Sequence, residues 1–290
     1  MTGIQVPLVS LGLIIGLISG LFGVGGGFLL VPLLNSFFGI PYSLAVGTTL
    51  GQMFFTAFSG SARHIVQKNV DLKMALLLLT GSLPGLLLGI GIMNSLQTPI
   101  TYTIRGRRVT QLDLIMSIIY LFFLISLGTF MVWETCCRRT DPGEHHGFSL
   151  GFLLGLSWKP LVRVPSLGER EVSAWFFSLL GLGVGILSGL LGVGGGFILM
   201  PALVYLMGTS SHYAVGTSLL QTLVVSMAGA TLHFMHGNVN LWMVLYLAVG
   251  SITGAQLGAF ITSKVCCIWI RKYFGFLVLF SALVVILKYL

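Results

Sequence analysis

Ser19-Gly20-Leu21-Phe22-Gly23-Val24-Gly25-Gly26-Gly27-Phe28, with Pro32 just after it, decides how this chain is read, because the stretch occurs twice. It returns as Ser188-Gly189-Leu190-Leu191-Gly192-Val193-Gly194-Gly195-Gly196-Phe197, followed by Pro201. Both copies sit inside long apolar runs. Three consecutive glycines continue a helix poorly, since each costs about 1 kcal/mol relative to alanine. A proline soon afterwards suits the first turn of a new helix and not the middle of an old one. Each copy therefore reads as an apolar helix that breaks and restarts. Inside a bilayer, broken backbone is tolerated only where protein buries it or where it lines a cavity. The two breaks are the first candidates for a solute site.

Composition sets the class. Of 290 residues, 56% are hydrophobic and 8% are charged, against roughly 25% charged in soluble domains. The chain is expected to be an all-α integral membrane protein, and a soluble enzyme is excluded. Its formal charge is +8. The bases fall in short loops between apolar runs, where they orient a membrane protein and form no nucleic-acid stripe. No cleavable signal peptide is expected, because the first apolar run has no basic region before it. The four cysteines form two adjacent pairs, Cys136-Cys137 and Cys266-Cys267. That spacing is neither a disulfide framework nor a zinc site.

Working outward from the breaks, apolar segments cover 7–38, 43–62, 72–95, 112–133, 172–207, 212–232, 240–262 and 273–290. Residues 134–171 are polar, apart from a mildly apolar piece from Phe148 to Trp158 expected at the membrane interface. The chain divides into a first transmembrane repeat at 1–133, a linker at 134–171 and a second repeat at 172–290. A shift of 169 positions aligns 19–89 with 188–258 without a gap, and roughly 30 of about 70 positions are identical. Ala45-Val46-Gly47-Thr48 pairs with Ala214-Val215-Gly216-Thr217, Gln52 with Gln221, His64 with His233, and Asn69-Val70 with Asn238-Val239.

Orientation follows from whether the broken segments span. If each returns as a hairpin, a half crosses three times and the second half is inverted. The bases then divide eleven against four, with the linker on the cytoplasmic side; parallel repeats give nine against six. The expected fold is two inverted repeats, each a glycine-broken hairpin plus three transmembrane helices.

In that fold the glycine tips lie near the midplane, since about twelve residues of returning helix cover roughly 18 Å. Thr48 and Gln52 fall at a similar depth, as do Thr217, Ser218 and Gln221. The restarted helices aim their N-termini at the centre, and glycine leaves their N–H groups uncovered. Such a centre suits a small anion held by hydroxyl and amide groups. The expected substrate-binding set is Gly25, Gly26, Gly27, Thr48, Thr49, Gln52, Gly194, Gly195, Gly196, Thr217, Ser218 and Gln221. The competing reading is that the glycines serve close helix packing and that Thr and Gln bond to backbone carbonyls.

All seven acids, Asp71, Asp113, Glu134, Asp141, Glu144, Glu169 and Glu171, fall in loops or at helix ends. This disfavours a carboxylate-coupled pump and a cation pathway. His64 and His233 are expected at the interface, with a gate or proton role as the alternative. The cysteines are expected to be reduced bystanders on the cytoplasmic side, with a sulfur-handling or lipidation role as the alternative.

At these residues the chain resembles the TauE/SafE family of bacterial sulfite exporters. The likeness lies in the duplicated Ser-Gly-Leu-x-Gly-Val-Gly-Gly-Gly-Phe with its proline and in the Ala-Val-Gly-Thr-[Thr/Ser] segment that follows. It covers both repeats. The resemblance implies a multi-pass permease of the bacterial inner membrane that exports sulfite, an organosulfonate such as sulfoacetate, or a related small sulfur oxyanion. A passive anion channel and an uptake permease remain as alternatives, and an intramembrane enzyme is disfavoured because Ser19 and Ser188 have no histidine at matching depth. The expected partners are the small anion and the lipid bilayer, with pairing to a second copy as a homodimer left open. No cofactor, metal, catalytic residue or nucleic acid is expected.

Overall fold

The computed structural model describes residues 5–97, 100–104, 107–137, 160–167, 171–265 and 267–289. The first half holds α1 (Gln5–Phe22), α2 (Gly27–Phe37), α3 (Tyr42–Val66), α4 (Leu72–Ser95) and α5 (Gln111–Cys137). The second holds α6 (Ala174–Leu191), α7 (Gly196–Tyr205), α8 (Ser211–Met235), α9 (Leu241–Thr262) and α10 (Cys267–Tyr289). Two small antiparallel hairpins interrupt this helical chain, and the sequence does not announce them. Strand β1 (Thr101–Ile104) pairs with β2 (Arg107–Thr110), and β3 (Leu161–Arg163) pairs with β4 (Glu171–Ser173). The Phe148–Trp158 piece, Arg105 and the side chains of all four cysteines lie outside the described residues.

Helices α1, α4, α5, α6, α8 and α9 are each long and apolar enough to cross a membrane. Helices α2 and α7 have 11 and 10 residues, about 16 Å of rise, or half a hydrocarbon core. Each follows a break at the duplicated glycines. At the first break Gly25 and Gly26 have φ of +74° and +78°; at the second, Gly194 and Gly195 have +66° and +82°. This is the left-handed region, where an L side chain costs about 1 kcal/mol or more.

The prolines do not sit where the sequence suggests. Pro32 and Pro201 are the sixth residues of α2 and α7, past the first turn. Pro32 has no N–H to give the Phe28 carbonyl four residues back. Ser281 of α10 fills that gap, its hydroxyl donating to Phe28 O at 2.7 Å. The irregularity is tolerated because a neighbouring helix replaces the missing donor.

The halves pack by exchanging equivalent contacts. Gly12, Gly16 and Gly20 of α1 lie against Leu247, Ser251 and Ala255 of α9, while Gly250, Gly254 and Gly258 of α9 face Val9, Leu13 and Leu17. The 169-residue shift turns this interface into that of α6 with α4, where Gly181 and Gly185 meet Leu78 and Ser82. A Cβ on Gly16 would lie 2.6 Å from Ser251 Cα. The four-residue glycine ladders thus bring the backbones together, as in close-packed membrane helices. Both pairs run parallel. Helices α3 and α8, related by the repeat, run antiparallel, with Gly60 facing Leu219 and Gly229 facing Leu50.

This arrangement separates the two ends of the bundle. Asn240 N donates to Thr48 Oγ1 near the start of α3. The described part of the linker lies beyond its other end, where Ser166 N donates to Asp71 Oδ2. The hairpin that carries Ser166 is anchored by Val164 and Val172, both in the core.

Candidate functional site

Both glycine breaks come to the middle of the bundle and touch. A Cβ on Gly27 would sit 2.6 Å from Gly192 O, and one on Gly196 would sit 2.8 Å from Gly23 O. Just behind the tips, Phe28 stacks on its repeat partner Phe197 with centroids 6.1 Å apart, and Phe274 meets Phe28 edge-on at 5.8 Å. Gly25 and Gly194 face the same two side chains, Met53 and Thr222. The Thr222 methyl lies 3.0 Å from a Cβ built on Gly25 and 2.9 Å from one on Gly194. Its hydroxyl donates to Gly194 O at 3.1 Å. Gly26 and Gly195 lie against Ile15 and Val184, again repeat equivalents. Any helix leaves its first N–H groups without intrahelical acceptors. Here two helices, α2 and α7, start within contact distance of each other, with no side chain on their first residues.

The glutamines flank this centre and are fully buried. Gln52 donates its amide N–H to Thr56 Oγ1, while its Oε1 has no partner in the protein. Neither amide atom of Gln221 has one. Its Oε1 lies 3.7 Å from a Cβ built on Gly195, so it borders the second tip. The Thr49 hydroxyl is buried without a partner, whereas its equivalent Ser218 donates to Gly23 O at 2.7 Å. The hydroxyls of Ser19 and Ser188, at the start of the duplicated stretch, are also buried and unpaired. Buried polar side chains in proteins are overwhelmingly hydrogen-bonded, so a set of unpaired ones at repeat-related positions needs a reason.

Thr48 and Thr217 are engaged elsewhere. Thr48 Oγ1 accepts the N–H of Asn240 at 3.1 Å, and Thr217 Oγ1 accepts that of Asp71 at 3.0 Å. Asn240 and Asp71 in turn cap α9 and α4 by accepting from Met243 N and Met74 N. The threonines therefore hold the starts of the following helices, a turn away from the glutamines.

His64 and His233 lie in the last turns of α3 and α8, at the helix ends where the sequence puts them, and both are buried within the protein. Helices α3 and α8 run past each other's starts, so their last turns are covered: His233 Cβ lies 2.9 Å from a Cβ built on Gly47. His64 Nε2 is 3.3 Å from Gly20 O, at the last turn of α1. Asp71 and Asp113 lie at helix ends as expected, yet both are buried. Asp113 accepts from Tyr42 N at 3.1 Å and from the Thr110 hydroxyl at 2.7 Å, tying the start of α3 to the hairpin before α5.

Met53 and Thr222 escape the sequence reading because one is Met and the other Thr. The available signal is position: they are repeat equivalents, each one residue after its glutamine. Ser19 and Ser188 are identical in the repeat but read as part of the glycine motif.

A family model for the sulfite exporter TauE/SafE matches residues 8–285. The chain belongs to the TauE/SafE family. It is accordingly a multi-pass membrane transporter, housed in bacteria in the inner membrane, and the family is one of permeases and not of enzymes. Its relatives include the probable membrane transporter protein YunE of Bacillus subtilis, 29% identical over 269 residues and 89% of each chain. A probable membrane transporter protein of Xylella fastidiosa is 27% identical over 292 residues, 98% of this chain and 96% of its own. One from Methanocaldococcus jannaschii is 26% identical over 272 residues, 89% of this chain and 86% of its own. No solved structure matches.

Proposed function

We propose that this TauE/SafE transporter exports a small sulfur oxyanion, sulfite or an organosulfonate such as sulfoacetate, through a site between the two glycine tips. The two repeats are inverted across the membrane, with the linker in the cytoplasm. One observation carries the reading: two repeat-related helix starts meet beside the buried, unpaired amide of Gln221. Helix starts offer N–H groups and positive dipole ends to an anion. A glutamine amide adds two more donors without a charge that would trap the ligand. Gly25, Gly26, Gly27, Gly194, Gly195 and Gly196 supply the approach, with Gln52, Gln221, Thr49 and Ser218 around them. Thr48 and Thr217 support the site by anchoring α9 and α4.

The tips are packed against each other, which favours a carrier that opens to one side at a time over a continuously open pore. Inversion is favoured by the antiparallel crossing of α3 and α8. A two-fold axis perpendicular to the helices, lying in the membrane plane, produces that crossing. The bases Arg63, Lys68, Lys73, Lys264 and Lys272 lie toward the linker end, which supports a cytoplasmic linker.

Calorimetric titration of the purified transporter with sulfite, sulfate, thiosulfate, sulfoacetate and taurine, side by side, tests the substrate class. Sulfite or sulfoacetate is expected to bind, and zwitterionic taurine less well. Binding of taurine alone, or of none of the oxyanions, would count against the reading.

A further inference from the structure

A cavity at the linker end of the α3–α9 interface takes no part in the transport site. It measures about 450 Å3 and is lined by Ala62, Arg63, Val66, Gln67 and Gln256. Two amides fix its walls by crossing the interface: Gln67 Nε2 donates to Ala259 O at 3.2 Å and Gln256 Nε2 to Ser59 O at 2.7 Å. Two cations converge beside it on one aromatic ring. The Arg63 guanidinium lies 4.9 Å from the centre of Phe260 and the Lys264 ammonium 4.3 Å from it. Among the described residues no acidic side chain pairs with either. Two like charges on one ring repel, and an anion between them relieves the repulsion.

The rim faces outward and is apolar. Val66 is 82% exposed and Phe260 40%. The depth is that of lipid headgroups: Trp269 and Tyr273, a few residues beyond Lys264, stack with centroids 5.3 Å apart and are exposed, as aromatic belts are at membrane interfaces. The fold does not demand these residues. The positions equivalent to Arg63, Gln256, Phe260 and Lys264 are Leu232, Leu87, Gly91 and Ser95. The cations, amide and ring are thus found in one copy of the repeat only, at the end where Lys68, Lys73 and Lys272 also lie.

We infer that this cavity binds the phosphate headgroup of an anionic phospholipid, held by Arg63 and Lys264, with an acyl chain lying over Val66. A free phosphate or sulfur oxyanion shares the charge but leaves the apolar rim without a partner. The test is native mass spectrometry of the full-length protein in detergent with added phosphatidylglycerol or phosphatidylcholine. Preferential retention of phosphatidylglycerol is expected. Arg63→Gln and Lys264→Gln should each weaken it about fivefold, the weight of one cation near an anionic surface, and Arg63→Lys should preserve most of it. Leu232→Ala, in the other copy, should leave it unchanged. Equal retention of both lipids, glutamine variants that remain folded and retain phosphatidylglycerol fully, or displacement of the lipid by millimolar inorganic phosphate or sulfite would overturn the assignment. Displacement by the soluble ions would make it a site for free oxyanions. The titration of the transport site reads a different pair of glutamines, so the two proposals can fail separately.

Discussion

Gln221 and Pro32 show what single residues can and cannot announce. The glutamines are legible because an amide repeated at equivalent apolar positions is costly to bury without a use. Met53 and Thr222 are not, because the repeat preserves their place and not their chemistry. The repeat makes Thr48 and Thr217 legible as an equivalent pair, but their hydrogen bonds go to residues 192 and 146 positions away in sequence, which no local pattern reveals. Pro32 misleads by the same route, since its missing donor is supplied by Ser281 from α10. That substitution of donors is testable. Ser281→Ala should lower stability by about 1–2 kcal/mol, the cost of an unpaired buried carbonyl, seen as a lower unfolding temperature in detergent. Adding Pro32→Ala restores an N–H to the Phe28 carbonyl and should recover much of the loss. Simple addition of two destabilising effects would show that Ser281 does not replace that donor.

Among the elements, the helices are legible to within a few residues: the 72–95 segment coincides with α4, while α3 and α5 run four residues past their apolar runs and α10 begins six residues before its own. The length of the apolar runs and the glycine breaks define them, and these are local signals. The β3–β4 hairpin is not, because it is held by tertiary contact: Val164 and Val172 in the core and Ser166 N on Asp71. Its docking breaks the symmetry of the halves. The counterpart of Asp71 is Asn240, whose side chain caps α9 in the same way. Asp71→Asn should keep the cap on Met74 N but turn an amide N–H toward Ser166 N, which can no longer donate. Hydrogen exchange at residues 160–167 should accelerate by about tenfold, the loss of roughly 1–1.5 kcal/mol of local protection. Asn240→Asp should leave that segment unchanged. Equal protection in the Asp71→Asn variant would mean that the apolar anchors alone hold the hairpin.

For the whole molecule, the 169-residue repeat read from sequence becomes a set of exchanged interfaces, α1 on α9 and α6 on α4. The antiparallel crossing of α3 and α8 is not fixed by the repeat itself, which is compatible with either axis; in the sequence only the division of the loop bases favours it. Cysteines introduced at Ser166 and Gly237 should react with an impermeant thiol reagent from opposite sides of the membrane, the first from the cytoplasm; reaction of both from one side would refute inversion. The central claim, that an oxyanion binds between the two glycine tips, is tested most directly by calorimetric titration with sulfite and sulfoacetate, comparing wild type with Gln52→Leu and Gln221→Leu. Each substitution removes amide donors and is expected to weaken binding by about 1–3 kcal/mol, with the unfolding temperature held as a check on the fold. Gln221→Glu should weaken it further, since an ionised carboxylate repels the anion across a few ångströms. Unchanged affinity in both leucine variants, or tighter binding in the glutamate variant at neutral pH, would contradict a site at the tips.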